Sequence, residues 1–145
     1  MITIIVIGKK SDYDSFISNY EKRLKQPFVI KWVKIENSKK SGNEARIEES
    51  SKIQECIKKE DYVILLDERG KQLNNEGLVE KIIKTKNVTF IIGGSYGLCQ
   101  KIYDRANFMW KLSDLILPYE LVRLILTEQI YRSQCIFSSH PYHHK

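Results

Sequence analysis

The chain has 145 residues, 42% of them hydrophobic and 29% charged, the balance of one globular domain with a single core and too rich in apolar residues for a disordered chain. No apolar run approaches the ~20 residues needed to span a bilayer, and the opening MITIIVIGKK carries its charges after the apolar stretch, the reverse of a secretory leader. A formal net charge of +6 and a pI of about 9.2 favour an anionic partner, with nucleic acid the leading class.

Ile2 to Ile7 is an apolar, β-branched run closed by Gly8, and predicts a first strand. Ser11 or Asp12 can cap a helix reaching about Lys25, with Phe16, Ile17, Tyr20 and Leu24 at helical spacing, and Pro27 stops it. Phe28 to Ile35 predicts a second strand. The polar, Lys-rich stretch from Asn37 to Gly42 predicts a loop, and Glu44 to Lys59 a charged helix with Ile47, Ile53 and Ile57 on its inner face. Asp61 to Asp67 is a short buried strand with a turn at Gly70, Leu73 to Lys86 a helix, and Val88 to Ile92 a strand ending in Gly93 and Gly94. A helix from Leu98 to Asn107, a strand from Lys111 to Leu117 halted by Pro118, and a long helix from Glu120 to Gln134 complete the pattern.

Strands alternating with helices predict an α/β layered fold with a mainly parallel sheet. Ligands of such sheets bind beyond the carboxyl ends of the strands, here Asp67, Gly93-Gly94 and Leu117-Pro118. Four features lie at or after these ends. In IIGGSYGL (Ile91 to Leu98) the glycines permit a tight turn and close approach to a ligand, or form a plain strand-to-helix turn. In LDERGK, Asp67 can hold a ribose hydroxyl or orient its own loop. The last helix is apolar around more than one face, which places it in a core or a subunit interface, and Arg123 within it needs an internal partner or a ligand anion. The closing HPYHHK holds every histidine of the chain, His140, His143 and His144, together with Tyr142; such a tip is either a frayed end or a proton-transfer and base-stacking device. Cys56, Cys99 and Cys135 show no CxxC pair and no metal-ligand spacing, which predicts reduced thiols in the cytosol, with Cys56 and Cys99 packed on helices.

Read together, the strand ending Gly8-Lys9, then LDERGK, IIGGSYGL, LSDLILPYELVR with EQIYR, and the terminal PYH resemble, in this order, the SPOUT-class methyltransferases that modify N3 of a pseudouridine in 23S ribosomal RNA. The resemblance implies a knotted α/β fold, one domain over residues 1–145, with the C-terminal segment threaded through a loop to form a trefoil knot. It implies a homodimer in the cytoplasm that binds S-adenosylmethionine in the knot, acts on helix 69 of the large subunit, and needs neither metal nor membrane. By position, the resemblance implies that the cofactor-binding residues are Leu66, Gly93, Leu112, Ser113, Asp114, Leu115, Ile116 and Leu117. His143, Tyr142, Arg123 and Lys145 are the catalytic set: His143 as proton acceptor or imide orienter, Tyr142 against the base, and Arg123 or Lys145 on a phosphate or carbonyl oxygen. The resemblance further implies that the tail completes the active site across the dimer interface.

Two positions depart from the family pattern. Tyr119 replaces the histidine that commonly follows the Leu-Pro pair, and His144 stands before Lys145 where a cation usually follows Tyr-His directly. Lys9, Lys10, Lys39, Lys40 and Lys71 are candidate phosphate contacts. The alternatives are a SPOUT methyltransferase with another RNA target, a non-catalytic ribosome-associated RNA-binding factor, and a flavodoxin-like interaction protein.

Overall fold

In the computed structural model, which describes residues 1–144, five strands and five helices alternate along the chain. They are β1 (Ile2–Ile7), α1 (Asp14–Glu21), β2 (Ile30–Ile35), α2 (Gly42–Cys56), β3 (Tyr62–Lys71), α3 (Asn75–Lys84), β4 (Val88–Ile92), α4 (Gln100–Arg105), β5 (Phe108–Trp110) and α5 (Tyr119–Phe137). The strands pair in the order β2-β1-β4-β3-β5, every pair parallel. A parallel sheet with helices on both faces has no solvated side, which is why its strands read as continuous apolar runs.

The period-two alternation of the strands divides the core. Ile2, Ile4 and Val6 of β1 join Ile64, Phe90, Ile92 and Trp110 beneath Leu78 and Ile82 of α3 and Leu126 and Ile130 of α5. Ile5 and Ile7 point the other way and meet Val63, Leu65, Ile91, Ile53 of α2 and Ile102 of α4. Burial of each such side chain contributes about 1.5–3 kcal/mol, so both layers bear on stability. α5 packs on α1 and α3, with Leu126, Thr127, Ile130, Tyr131 and Cys135 forming its inner stripe.

The elements differ from the sequence expectation in particular places. α1 starts later because Ser11 and Asp14 close a small loop, Ser11 N–H and Oγ–H donating to the Asp14 carboxylate at 3.2 and 3.0 Å. It stops at Glu21, and residues 22–23 continue as a turn. β2 begins at Ile30, and Phe28 enters the core from the turn before it. On α2 the inner face is Ala45, Glu49, Ser50 and Ile53; Ile47 is 50% exposed, since the helix rotates its small and polar residues inward against the glycine-rich turn after β4. Cys56 is exposed rather than packed.

The difference that matters most lies at β5. The expected strand from Lys111 to Leu117 is a loop, and the strand proper is Phe108–Trp110. Lys111 pairs with Asp114 at 2.5 Å, and the Leu115 N–H donates to Ser113 Oγ at 2.9 Å. These local bonds compete with strand extension. Gly70 is not a free turn but part of β3, where a Cβ would lie 2.5 Å from the Met109 carbonyl oxygen. Trp110 pairs with both Leu66 and Lys71, so β3 bulges outward over Asp67–Gly70 and returns to the sheet.

Candidate functional site

The register aligns Val6, Ile92, Leu66 and Trp110 in one row across four strands. Immediately past that row the chain leaves the sheet at Gly8, Gly93, Asp67 and Lys111. A cavity of about 400 Å³ opens there, within the size range of small-molecule sites. Its floor is Leu66, Ile92, Gly93 and Leu98; its wall is Leu112, Ser113, Leu115, Ile116 and Leu117; the β3 bulge supplies Asp67, Glu68 and Arg69 at the rim. The structure therefore brings together Leu66, Gly93 and five of the six candidates in the 112–117 run. Asp114 does not line the cavity; its carboxylate holds Lys111.

The glycine turn is shaped by its neighbours. A Cβ on Gly93 would come within 3.2 Å of the Leu98 side chain, narrowing the floor, and Gly97 has φ +77, a left-handed conformation suited to glycine. From α2, Ser50 Oγ accepts the Cys99 N–H at 2.9 Å and fixes the end of the turn. Glu49 is buried behind Gly94, one carboxylate oxygen accepting the Ser38 N–H at 2.9 Å.

Opposite the turn, the 111–118 loop is anchored at its start by the Lys111 N–H donating to the Lys71 carbonyl at 2.9 Å. The backbone N–H groups of Ile116 and Leu117 have no partner among the described residues. Leu115 and Ile116 are 74% and 82% exposed, an arrangement that favours cover by a ligand or a second surface.

Asp67 orients the bulge. Its Oδ1 accepts the Arg69 N–H at 2.8 Å and Nε–H at 3.2 Å, and its Oδ2 accepts the Tyr103 hydroxyl at 3.0 Å. Arg69 in turn lies over the Tyr103 ring at 4.8 Å. Burial alone would raise the Asp67 carboxyl, but the bonds from Arg69 and Tyr103 hold it below its usual range. Of the two roles open to Asp67 in the sequence, the loop-orienting one matches these contacts.

Arg123 is 3% exposed and does not face the cavity. Its Nη2 donates to the carbonyls of Ile7 at 2.7 Å and Gly8 at 3.0 Å, tying the first turn of α5 to the end of β1. Nε and Nη1 have no partner among the described residues and border a small pocket shared with Asp14, Glu21, Trp32 and Lys34. Desolvation draws its guanidinium below the ordinary arginine value, with Asp14 and Glu120 opposing.

The tail packs back onto α5. The Tyr142 ring meets Tyr131 edge-on at 4.8 Å, its hydroxyl donates to Glu128 at 3.2 Å, and Arg132 lies over its face at 4.9 Å. Burial, with Tyr20 and Glu128 adding, pushes the Tyr142 phenol well above its ordinary value. Glu128 also receives Arg132 at 2.7 Å, and Arg132 reaches His143 Nδ1 at 3.1 Å. Arginine only donates, so Nδ1 is the acceptor, and the neutral imidazole carries its proton on Nε2. Tyr142 and His143 are thus brought together, but neither lines the cavity of its own chain. Lys145 lies outside the described residues. Glu128 and Arg132, which organise the tail, were not among the expected site residues; their i,i+4 spacing within EQIYR was the available signal.

Among the described residues, no helix is long and apolar enough to cross a membrane, and no group of three His, Cys, Asp or Glu side chains could hold a metal. A family profile described as "Predicted SPOUT methyltransferase" matches residues 1–143. Among curated relatives, the ribosomal RNA large subunit methyltransferase H of Christiangramia forsetii is 36% identical, covering 99% of each chain. The proteins of the same name from Clostridium novyi and Neisseria meningitidis are 38% and 35% identical; the first match covers 98% of both chains, the second 98% of this chain and 97% of the relative.

Proposed function

The chain belongs to the SPOUT methyltransferase family, and on that premise we propose that it methylates ribosomal RNA of the large subunit with S-adenosylmethionine, at N3 of a pseudouridine in helix 69 of 23S rRNA. The observation that carries this reading is the cavity in which Leu66, Gly93 and the 112–117 loop meet. Its apolar floor suits an adenine ring, and the N–H groups of Ile116 and Leu117, without a partner among the described residues, suit the ring's acceptor edge. The names of the relatives support the RNA class. Family membership supports a trefoil knot in the C-terminal segment.

The bound cofactor supplies a methyl group already activated on a sulfonium. The protein's own task is to hold the target nitrogen in line with that methyl and to exclude water. A protonated imide is a poor nucleophile, so the protein must favour its deprotonated form. With Nδ1 engaged by Arg132, His143 presents an Nε2–H, a donor for a pyrimidine carbonyl oxygen. In this role it stabilises the imide anion, while the N3 proton leaves to solvent. Tyr142 keeps its own proton and offers its ring to the base.

The tail stands apart from the cavity of its own chain, which favours a homodimer in which each tail serves the partner's cavity. Exposed Leu115, Ile116 and Tyr119 fit the same arrangement, since a second copy would cover them. The assembled ribosome, in the cytoplasm, is the substrate form. Arg123 completes the proposed set by holding the β1–α1 turn, and Lys145, outside the described residues, is proposed as its second cation. Mass mapping of 23S rRNA after deletion of the gene tests the function: one methyl should vanish from a helix 69 pseudouridine and return on complementation. An unchanged map would overturn the assignment.

A further inference from the structure

We propose that Glu68 makes the cavity selective for the cationic methyl donor over its uncharged product. This rests on the proposed donor site and names one residue of that site. Three charged side chains line the cavity, Asp67, Glu68 and Arg69. Asp67 and Arg69 are committed to each other at 3.2 Å, and Arg69 is further held on the Tyr103 ring. Glu68 is exposed and has no hydrogen bond or ion pair among the described residues. The formal charge of the lining is therefore the single negative charge of Glu68, within a chain whose net charge is +6. The β3 bulge places that carboxylate at the rim by turning residues 67–70 out of the sheet.

The donor carries a sulfonium, an ammonium and a carboxylate, and so a net positive charge. Methyl transfer forms the new nitrogen–carbon bond, breaks the sulfur–methyl bond and leaves its electron pair on sulfur. The product is a thioether with no net charge. A fixed negative rim thus attracts the donor and loses its hold on the product once transfer has occurred. At an exposed rim the preference is worth roughly two- to fivefold in affinity and weakens with salt.

Titration calorimetry of the full chain with S-adenosylmethionine, S-adenosylhomocysteine and sinefungin, which keeps a positive charge without a transferable methyl, tests this directly. Glu68→Gln should weaken the donor and sinefungin about two- to fivefold and leave the homocysteine product within experimental error. Glu68→Asp should retain the discrimination, and 0.5 M salt should erase most of the difference between wild type and Glu68→Gln. Equal weakening of all three ligands, or no change in any, would overturn the selectivity while leaving the donor site in place. Failure of the wild-type chain to bind any of the three would overturn the donor site and this inference together.

Discussion

Arg123 joins two distant parts of the chain through one nitrogen, while its other two nitrogens have no partner among the described residues. The two effects oppose each other. Two charge-assisted hydrogen bonds contribute about 1.5–3 kcal/mol each, and two stranded buried donors cost about 1–3 kcal/mol each. Arg123→Met should therefore change global stability by less than about 2 kcal/mol in urea unfolding. The amides of Gly8 to Lys10 should nonetheless exchange with deuterium at least tenfold faster, because the carbonyls that anchor their turn lose their donor. At Asp67 the sign of the pH effect follows from the direction of the shift. Its folded carboxyl lies below the ordinary 3.8, so its contribution is present above that pH and is lost as pH falls through the folded value. Asp67→Asn should lower the melting temperature at pH 7 and flatten the acid limb of the wild-type stability profile below pH 4.

Among the elements, β5 has three residues and depends on close backbone approach at Gly70. Gly70→Ala would place a methyl 2.5 Å from the Met109 oxygen. It should cost about 2 kcal/mol or more and weaken S-adenosylmethionine binding, since the 111–118 loop begins where that contact ends; unfolding curves and calorimetry read the two effects separately. The tail behaves differently because it packs on α5 and not on the cavity floor. Removal of residues 142–145 should abolish methyl transfer to ribosomes yet leave cofactor affinity within about threefold, as the cavity lining is intact. Full activity after that deletion would remove the tail from the site.

For the whole molecule, the net charge of +6 predicts salt-sensitive association with ribosomes. Affinity should fall steeply between 50 and 200 mM salt, and replacing Lys9 and Lys10 with glutamine should reduce the logarithmic slope by about 1–2. The alternating pattern made the layers legible, because buried parallel strands must be apolar runs; β1 and β4 have the bounds their β-branched residues mark. The strand-end rule points to the cavity at Asp67 and Gly93-Gly94, whereas Leu117-Pro118 closes a loop and not a strand. Other features were not legible. The Lys111–Leu117 segment has strand-like composition but is diverted by the Ser113 and Asp114 side chains. Ile47 turns outward and Glu49 inward because this part of α2 abuts the glycine turn after β4, while Ile53 packs on the sheet. The Glu128–Arg132 pair acquires its role only when the tail folds back, a contact no local pattern encodes.

The tie between α5 and β1 bears on how the protein is made. β1 leaves a synthesising ribosome well before α5, but Ile4 and Val6 keep an open side until Leu126 and Ile130 arrive, and the Ile7 carbonyl waits for a residue 116 positions downstream. Local closure of β1 with β2 and α1 can precede that moment, while the finished core cannot, so maturation is governed by the slow gathering of distant segments. A nascent chain arrested before α5 should expose a greasy, protease-sensitive sheet face that translation through Phe137 then seals.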